Sequence, residues 1–246
     1  MPVNFENFQY SFQRNGKPIF VPSEIGRKIG IEVKRKVEAC IQFEDFYYHL
    51  RSGGHVAALH AHRNNKFFAR LDIEKFFYSV ARNRVARSLK HAGVERPIHF
   101  AKWSTVRNPY PTDGYVLPYG FVQSPILASL VLKDSAIGRA LSQISKHLTV
   151  SVFVDDISIS GGDIKSTIEG FEYLEAAFVE SGFNTNSAKT RSPAEEIDAF
   201  NCDLRHKSTT VLLSRISEFN LIERSIQSQT AFENYCQKVA LGNIVD

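Results

Sequence analysis

From Thr149 to Ser160 the chain reads T-V-S-V-F-V-D-D-I-S-I-S, with apolar and small polar residues alternating on both sides of Asp155-Asp156. That alternation is the period of a half-buried strand, so the segment predicts a β-hairpin with two carboxylates at its tip. A second apolar run, Phe67 to Ile73, predicts a buried strand with Asp72 near its end. Residues 9 to 33 hold two strand-like runs joined through a Pro/Gly-rich middle, which reads more readily as a solvated basic loop than as a mobile hairpin that presents Lys17, Arg27 and Lys28.

Helical spacing dominates elsewhere. Val33, Val37 and Ile41 recur every four residues and predict a helix over 34–50 that Gly53-Gly54 ends. A short Ala-rich helical segment follows, carrying His55, His60 and His62. Offsets of five and two do not stack two imidazoles on one helical face, so packing and backbone contacts suit these histidines better than zinc. Phe76-Phe77 leads into a helix that Gly93 stops, whose Arg82, Arg84, Arg87 and Lys90 form a face that is either solvated or able to follow a phosphate backbone. Residues 94–116, with Pro97, Pro109 and Pro111, read as loop. Pro118 and Gly120 make a turn, Ser124 is placed to cap, and Pro125 suits the first position of a long, half-buried helix carrying Leu127, Leu130, Ile137, Leu141, Ile144 and Leu148. After the hairpin, Asp163 caps a helix striped by Ile164, Ile168, Phe171, Leu174 and Phe178 and ended by Gly182. A strand pair over 195–213 and a helix over 214–242 complete the chain, with Ile216, Leu221, Ile226, Phe232, Tyr235 and Val239 as candidates for burial.

At 246 residues and 43% hydrophobic content the chain can bury a full core, as one large domain or two lobes. Thirty basic against twenty-six acidic residues give +4, which permits a polyanionic partner without requiring one. Cys40, Cys202 and Cys236 have no zinc-like spacing and read as reduced, mostly buried thiols. The start, M-P-V-N-F-E-N-F-Q-Y, lacks a signal-like run, and no stretch of eighteen apolar residues occurs, so the expectation is a soluble, cytoplasmic protein with no membrane contact.

Composition leaves the chemistry to the acids. Val150, Val152, Val154, Ile157 and Ile159 make the hairpin apolar, where adjacent carboxylates are costly unless coordinated. The order of elements predicts an α+β fold, an antiparallel sheet with helices packed on one face, that brings the end of the Asp72 strand beside the Asp155-Asp156 tip. Three carboxylates so gathered could hold two magnesium ions about 3.5–4 Å apart, the arrangement of two-metal phosphoryl transfer.

Four segments in order, L-D-I-E-K-F-F-Y-S-V, L-P-Y-G-F-V-Q-S-P-I-L-A-S, F-V-D-D and G-F-N-T-N-S-A-K, span about residues 66–190. Together they resemble the palm motifs of a reverse transcriptase of the bacterial retron and defence-associated type. The resemblance implies right-hand polymerase fingers over 1–65, a palm over 66–194, and primer-grip-like strands with a short helical segment over 195–246, the thumb being short or absent. It implies two magnesium ions, or manganese, ligated by Asp72 and Asp155, with Asp156 in support and the Ile73 carbonyl lending a ligand. Phe77 falls at the sugar gate that selects deoxynucleotides. Tyr119, Gly120, Ser124 and Pro125 fall in the motif lining the nucleotide pocket, and Lys189 matches a lysine that protonates or neutralises the departing pyrophosphate. Arg27, Lys28, Lys66 and Arg70 are implied triphosphate contacts. The implied partners are an RNA template or noncoding RNA, a DNA product, deoxynucleotides, and a partner protein or second copy that makes up for the thumb; the implied role is antiphage defence. Two positions depart from the pattern: Tyr119 stands where the second motif usually has glutamine, and Phe153 where the third has tyrosine. A polymerase with an altered or absent template, and an inactive palm that binds nucleic acid or scaffolds a partner, remain as alternatives.

Overall fold

The computed structural model describes residues 7–244, so the opening hexapeptide read above for a leader lies outside the described residues. The elements begin with β1 (Phe8–Arg14), β2 (Lys17–Pro22), α1 (Glu24–Cys40), a 3-10 turn (Tyr48–Leu50), α2 (Gly54–His62), β3 (Phe67–Asp72), α3 (Phe76–Ser79) and α4 (Arg82–His91). They continue with α5 (Pro97–Ser104), β4 (Val106–Arg107), β5 (Tyr115–Val116), α6 (Ser124–Lys133), α7 (Ala136–Ile144), β6 (Thr149–Phe153), β7 (Asp156–Gly161) and α8 (Ile164–Ser181). Last come β8 (Arg191–Ala194), β9 (Glu196–Ala199), β10 (Cys202–Arg205), β11 (Ser208–Val211), α9 (Leu213–Asn220) and α10 (Ile226–Ala240). These form two compact units, each assembled from two stretches of sequence: Met1–Phe43 with Glu74–Arg139, and Glu44–Ile73 with Ala140–Asp246.

The second unit is built on an antiparallel sheet in the order β6-β7-β3-β8. Alternation along its strands divides the two faces. Leu71, Ala69, Ile157, Ile159, Val150 and Val152 are all buried, and α8 covers this apolar side, with Gly170 close enough that an added Cβ would lie 3.5 Å from Ile159 Cδ1. The opposite face carries Asp72, Arg70, Asp156, Ser158, Ser160 and Ser151. There α2 packs at the end away from the aspartates, with buried His62 joined to Ser160 Oγ at 2.7 Å and Ser151 Oγ at 2.8 Å. Residues 195–213 form three strands rather than a pair, a sheet in the order β11-β10-β9 whose Ile197, Cys202, Leu204 and Val211 share a core with Val56, Leu59, Phe68 and Val239. The predicted final helix is two helices, because Ser225 caps a new start by accepting the Ser228 N–H; Leu221 and Ile226 at the break are 83% and 80% exposed, whereas Val239 is buried.

In the first unit β1 and β2 pair antiparallel, and Ser23 caps α1 by accepting the Gly26 N–H. Arg27 and Lys28 therefore lie on the first turns of a helix, not on the hairpin. That helix ends at Cys40, ten residues before the sequence predicted. The stretch read as loop contains α5, with Pro97 in its first turn, and the short β4–β5 ladder. The long helix expected after Ser124 is also two: Gly138 N donates to Ser135 Oγ at 3.4 Å, and a Cβ on Gly138 would stand 2.1 Å from the Lys133 carbonyl. Residues 126–132 of α6 are buried all round rather than on one face. Ser124 does not cap; its hydroxyl donates to the Pro118 carbonyl at 2.7 Å and closes the turn. Of the three thiols, Cys202 is buried, Cys236 intermediate and Cys40 exposed. No helix among the described residues is long and apolar enough to cross a membrane.

Candidate active site

Antiparallel register sets Asp72 directly opposite Asp156, and the β6–β7 connection places Asp155 beside them. One carboxylate oxygen from each of the three lies within 4.8 Å of the others. Backbone bonds fix the strand ends that carry them: Ile73 N–H donates to the Asp155 carbonyl at 3.0 Å, and Asn186 N–H to the Asp72 carbonyl at 2.8 Å. Val154, at the tip, has φ +60°, a left-handed conformation rare for a β-branched residue.

Like charges opposite each other in a sheet repel, so the cluster needs cations. Arg70, two residues before Asp72 on the same face of β3, is 6% exposed. Its Nε donates to Asp156 Oδ1, Nη1 lies 3.3 Å from Asp198 Oδ2, and Nη2 lies 4.0 Å from Asp72 Oδ2. Arg191 pairs with the other oxygen of Asp198. Lys189 Nζ reaches Asp72 Oδ2 at 3.0 Å from a turn closed by Lys189 and Thr190 N–H groups on the Asn186 carbonyl. Asp155 is the member without an ion pair among the described residues. Burial, then the Asp156 and Asp72 charges, push its carboxyl up to about 6. Burial also raises the Asp156 carboxyl, against the opposing pull of Arg70. For Lys189, burial disfavours the charge, but the Asp72 hydrogen bond and the three carboxylates outweigh it and hold the ammonium above the ordinary lysine range.

The donor set fits a divalent cation. Three ionised carboxylates face two cations, one of them shared with Asp198, which leaves local negative charge concentrated at Asp155. Hard oxygen ligands of this kind are what magnesium and manganese take.

Other residues singled out in the sequence fall elsewhere. Arg70 anchors the acids from within the sheet, so it is not free to reach a triphosphate. Lys66 is exposed at the opposite end of β3, and at a rise of about 3.3 Å per residue it stands roughly 20 Å from Asp72, too far for a triphosphate bound at the triad. Phe77, Tyr119, Gly120, Ser124, Arg27 and Lys28 belong to the first unit. There the Tyr119 ring meets Phe77 edge-on at 4.7 Å, Tyr119 carries Lys17 Nζ over its face at 5.3 Å, and Lys28 pairs with Glu24 at the surface. Gly120, φ +103°, lets the turn approach β2: Phe20 N–H donates to the Tyr119 carbonyl at 2.9 Å, and a Cβ on Gly120 would sit 2.1 Å from the Phe20 carbonyl. Asp198 and Arg191 were not foreseen. Arg70 could have been read as the ion partner of Asp72 from the period of the strand, but Asp198 sits in a four-residue strand with no local signal.

Residues 13–204 match the family described as reverse transcriptase (RNA-dependent DNA polymerase). The chain belongs to that family. Among solved structures it is similar to a foamy viral protease-reverse transcriptase in complex with double-stranded DNA, at 15% identity and TM-score 0.56, covering 93% of this chain and 35% of that one. The same viral protein with an RNA/DNA hybrid gives 16% and 0.56, covering 93% and 27%. A telomerase from Candida albicans in complex with a fragment of telomeric RNA gives 10% and 0.53, covering 76% and 39%. The chain thus spans about a third of the length of the solved chains it resembles. At these identities the likeness is one of fold, that of polymerase fingers and palm; among the described residues only α9 and α10 follow the small sheet, so no multi-helix thumb is present there. A search of curated protein sequences found no match.

Proposed function

We propose that this chain is an RNA-directed DNA polymerase that adds deoxynucleotides by two-metal phosphoryl transfer. The observation that carries the reading is the gathering of Asp72, Asp155 and Asp156, with oxygens within 4.8 Å, on the sheet of a reverse transcriptase domain. Two divalent cations, magnesium or manganese, held by Asp72 and Asp155 with Asp156 and the Ile73 carbonyl in support, would activate the attacking hydroxyl and stabilise the leaving oxygen. Arg70 holds Asp156 in place through Oδ1. Lys189, its charge sustained by Asp72, is the group that protonates or neutralises the departing pyrophosphate. By the motif it occupies, Phe77 is the residue assigned to exclude a 2′-hydroxyl.

By likeness to neighbours solved with an RNA/DNA hybrid and with telomeric RNA, the partners are an RNA template and a DNA product. The four motifs support the narrower assignment to the bacterial retron and defence-associated type, working in the cytoplasm with a noncoding RNA against phage. In that reading residues 1–65 serve as fingers, 66–194 as palm and 195–246 as primer grip, and a partner protein or second copy helps hold the duplex. Tyr119, packed edge-on against Phe77, favours one variant of this reading, in which template or nucleotide choice is altered. Asp155→Asn tests the proposal. Incorporation of labelled deoxynucleotides with magnesium should vanish while the fold survives, as judged by circular dichroism; polymerisation at the parent's rate would sink the metal assignment.

A further inference from the structure

β6 lies at the edge of its sheet, and the backbone N–H groups of Val152 and Val154, two residues apart, point to the open side. A segment of the same unit covers that edge. Tyr47 bridges Val152 in parallel, and Val152 N–H donates to the Phe46 carbonyl at 2.8 Å. The covering chain then turns into the 3-10 turn at Tyr48–Leu50 and offers the next rung a side chain: Val154 N–H donates to His49 Nδ1 at 3.0 Å. The Val152 carbonyl is also near Nδ1, at 3.3 Å, but an amide proton is fixed on its nitrogen, so the shorter contact assigns Nδ1 as acceptor and puts the ring proton on Nε2. The ring packs edge-on against Phe153 at 5.9 Å and Tyr47 at 6.2 Å, and burial lowers its pKa to about 4, which keeps it an acceptor.

Val154 is the residue that needs such help. A left-handed conformation is unfavourable for an L-residue with a Cβ, and the strain sits immediately before Asp155. We propose that His49 is a positioning residue for the catalytic hairpin, its Nδ1 holding the Val154 N–H so that the strained tip presents Asp155 to the metals. The inference rests on the reading of Asp155 as catalytic.

Three variants test it: His49→Ala, His49→Asn, whose Oδ1 stands as many bonds from the backbone as Nδ1, and His49→Gln, whose Oε1 matches Nε2. The expected result is a loss of about tenfold to 100-fold in kcat for the Ala and Gln variants, with KM for deoxynucleotide little changed, and recovery of most of the rate by Asn. Hydrogen–deuterium exchange of residues 152–156 should quicken in the Ala and Gln variants alone, with the rest of the protein unaltered. Equal behaviour of the Asn and Gln variants in both measurements, or parental kcat in the Ala variant, overturns the proposal. So does global unfolding of both amide variants, which would make His49 a determinant of the whole fold instead. If the parent incorporates no deoxynucleotide on any template, the functional reading fails, and the exchange comparison still decides whether His49 holds the tip.

Discussion

Asp155 carries opposite obligations in folding and in chemistry. Its carboxyl is raised to about 6 in the folded protein by burial and by its acidic neighbours, from an ordinary value of 3.8. Between those values the native state holds the proton more tightly than the unfolded chain, so stability falls as pH rises through the window and the full cost is present above it. Asp155→Asn should therefore stabilise the metal-free protein at pH 7.5 by on the order of 1–2 kcal/mol, after allowance for its partial exposure, and give no gain below pH about 4. Urea titrations at the two pH values check this, and equal midpoints for parent and variant at pH 7.5 would contradict it. Arg70 stands on the other side of the ledger. Removing a cation that is 6% exposed takes the ion partner from Asp156 and leaves Asp198 with Arg191, so Arg70→Met should cost about 3 kcal/mol, read as a lowered urea midpoint.

At the scale of elements, the hairpin and its partner strand were legible because alternation is a local property. Small polar residues at every second position of β6 and β7 foretold a sheet with one polar face, and the acids simply end that face. What escaped reading was set by caps and close approaches that a hydrophobic period does not report. Residues 94–116 were proline-marked yet hold a helix, because Pro97 is tolerated in a first turn; α1 started early because Ser23 caps it. The split after Lys133 depended on the close approach of Gly138 to a carbonyl, which no periodicity reveals. Lys66 looked like a ligand only while the length of β3 was ignored. Glycine conformation gives a test at this scale. Gly120→Ala meets both a left-handed backbone and the Phe20 carbonyl, and should cost about 2 kcal/mol or more, whereas Gly16→Ala, at φ +71° with nothing within 4 Å, should cost about 1 kcal/mol. Similar shifts in thermal midpoint for the two would show that the turn yields easily.

Across the whole molecule, each unit is a closed core stitched from two separated stretches, and the triad lies within one of them. Cation binding should accordingly register as stability: millimolar magnesium or manganese should raise the melting temperature, a chelator should reverse the shift, and Asp155→Asn should blunt it. A parent protein whose melting is indifferent to both metals would argue against the cation site. The stitching also has a consequence for biosynthesis. Arg70 and Asp156 are 86 positions apart, so during translation at about 5–20 residues per second the mostly apolar β3 waits roughly 4–17 s for the strand that completes it. Until β7 emerges, the ribosome carries a bare template for strand pairing, and the yield of soluble protein should depend on how quickly synthesis covers that gap.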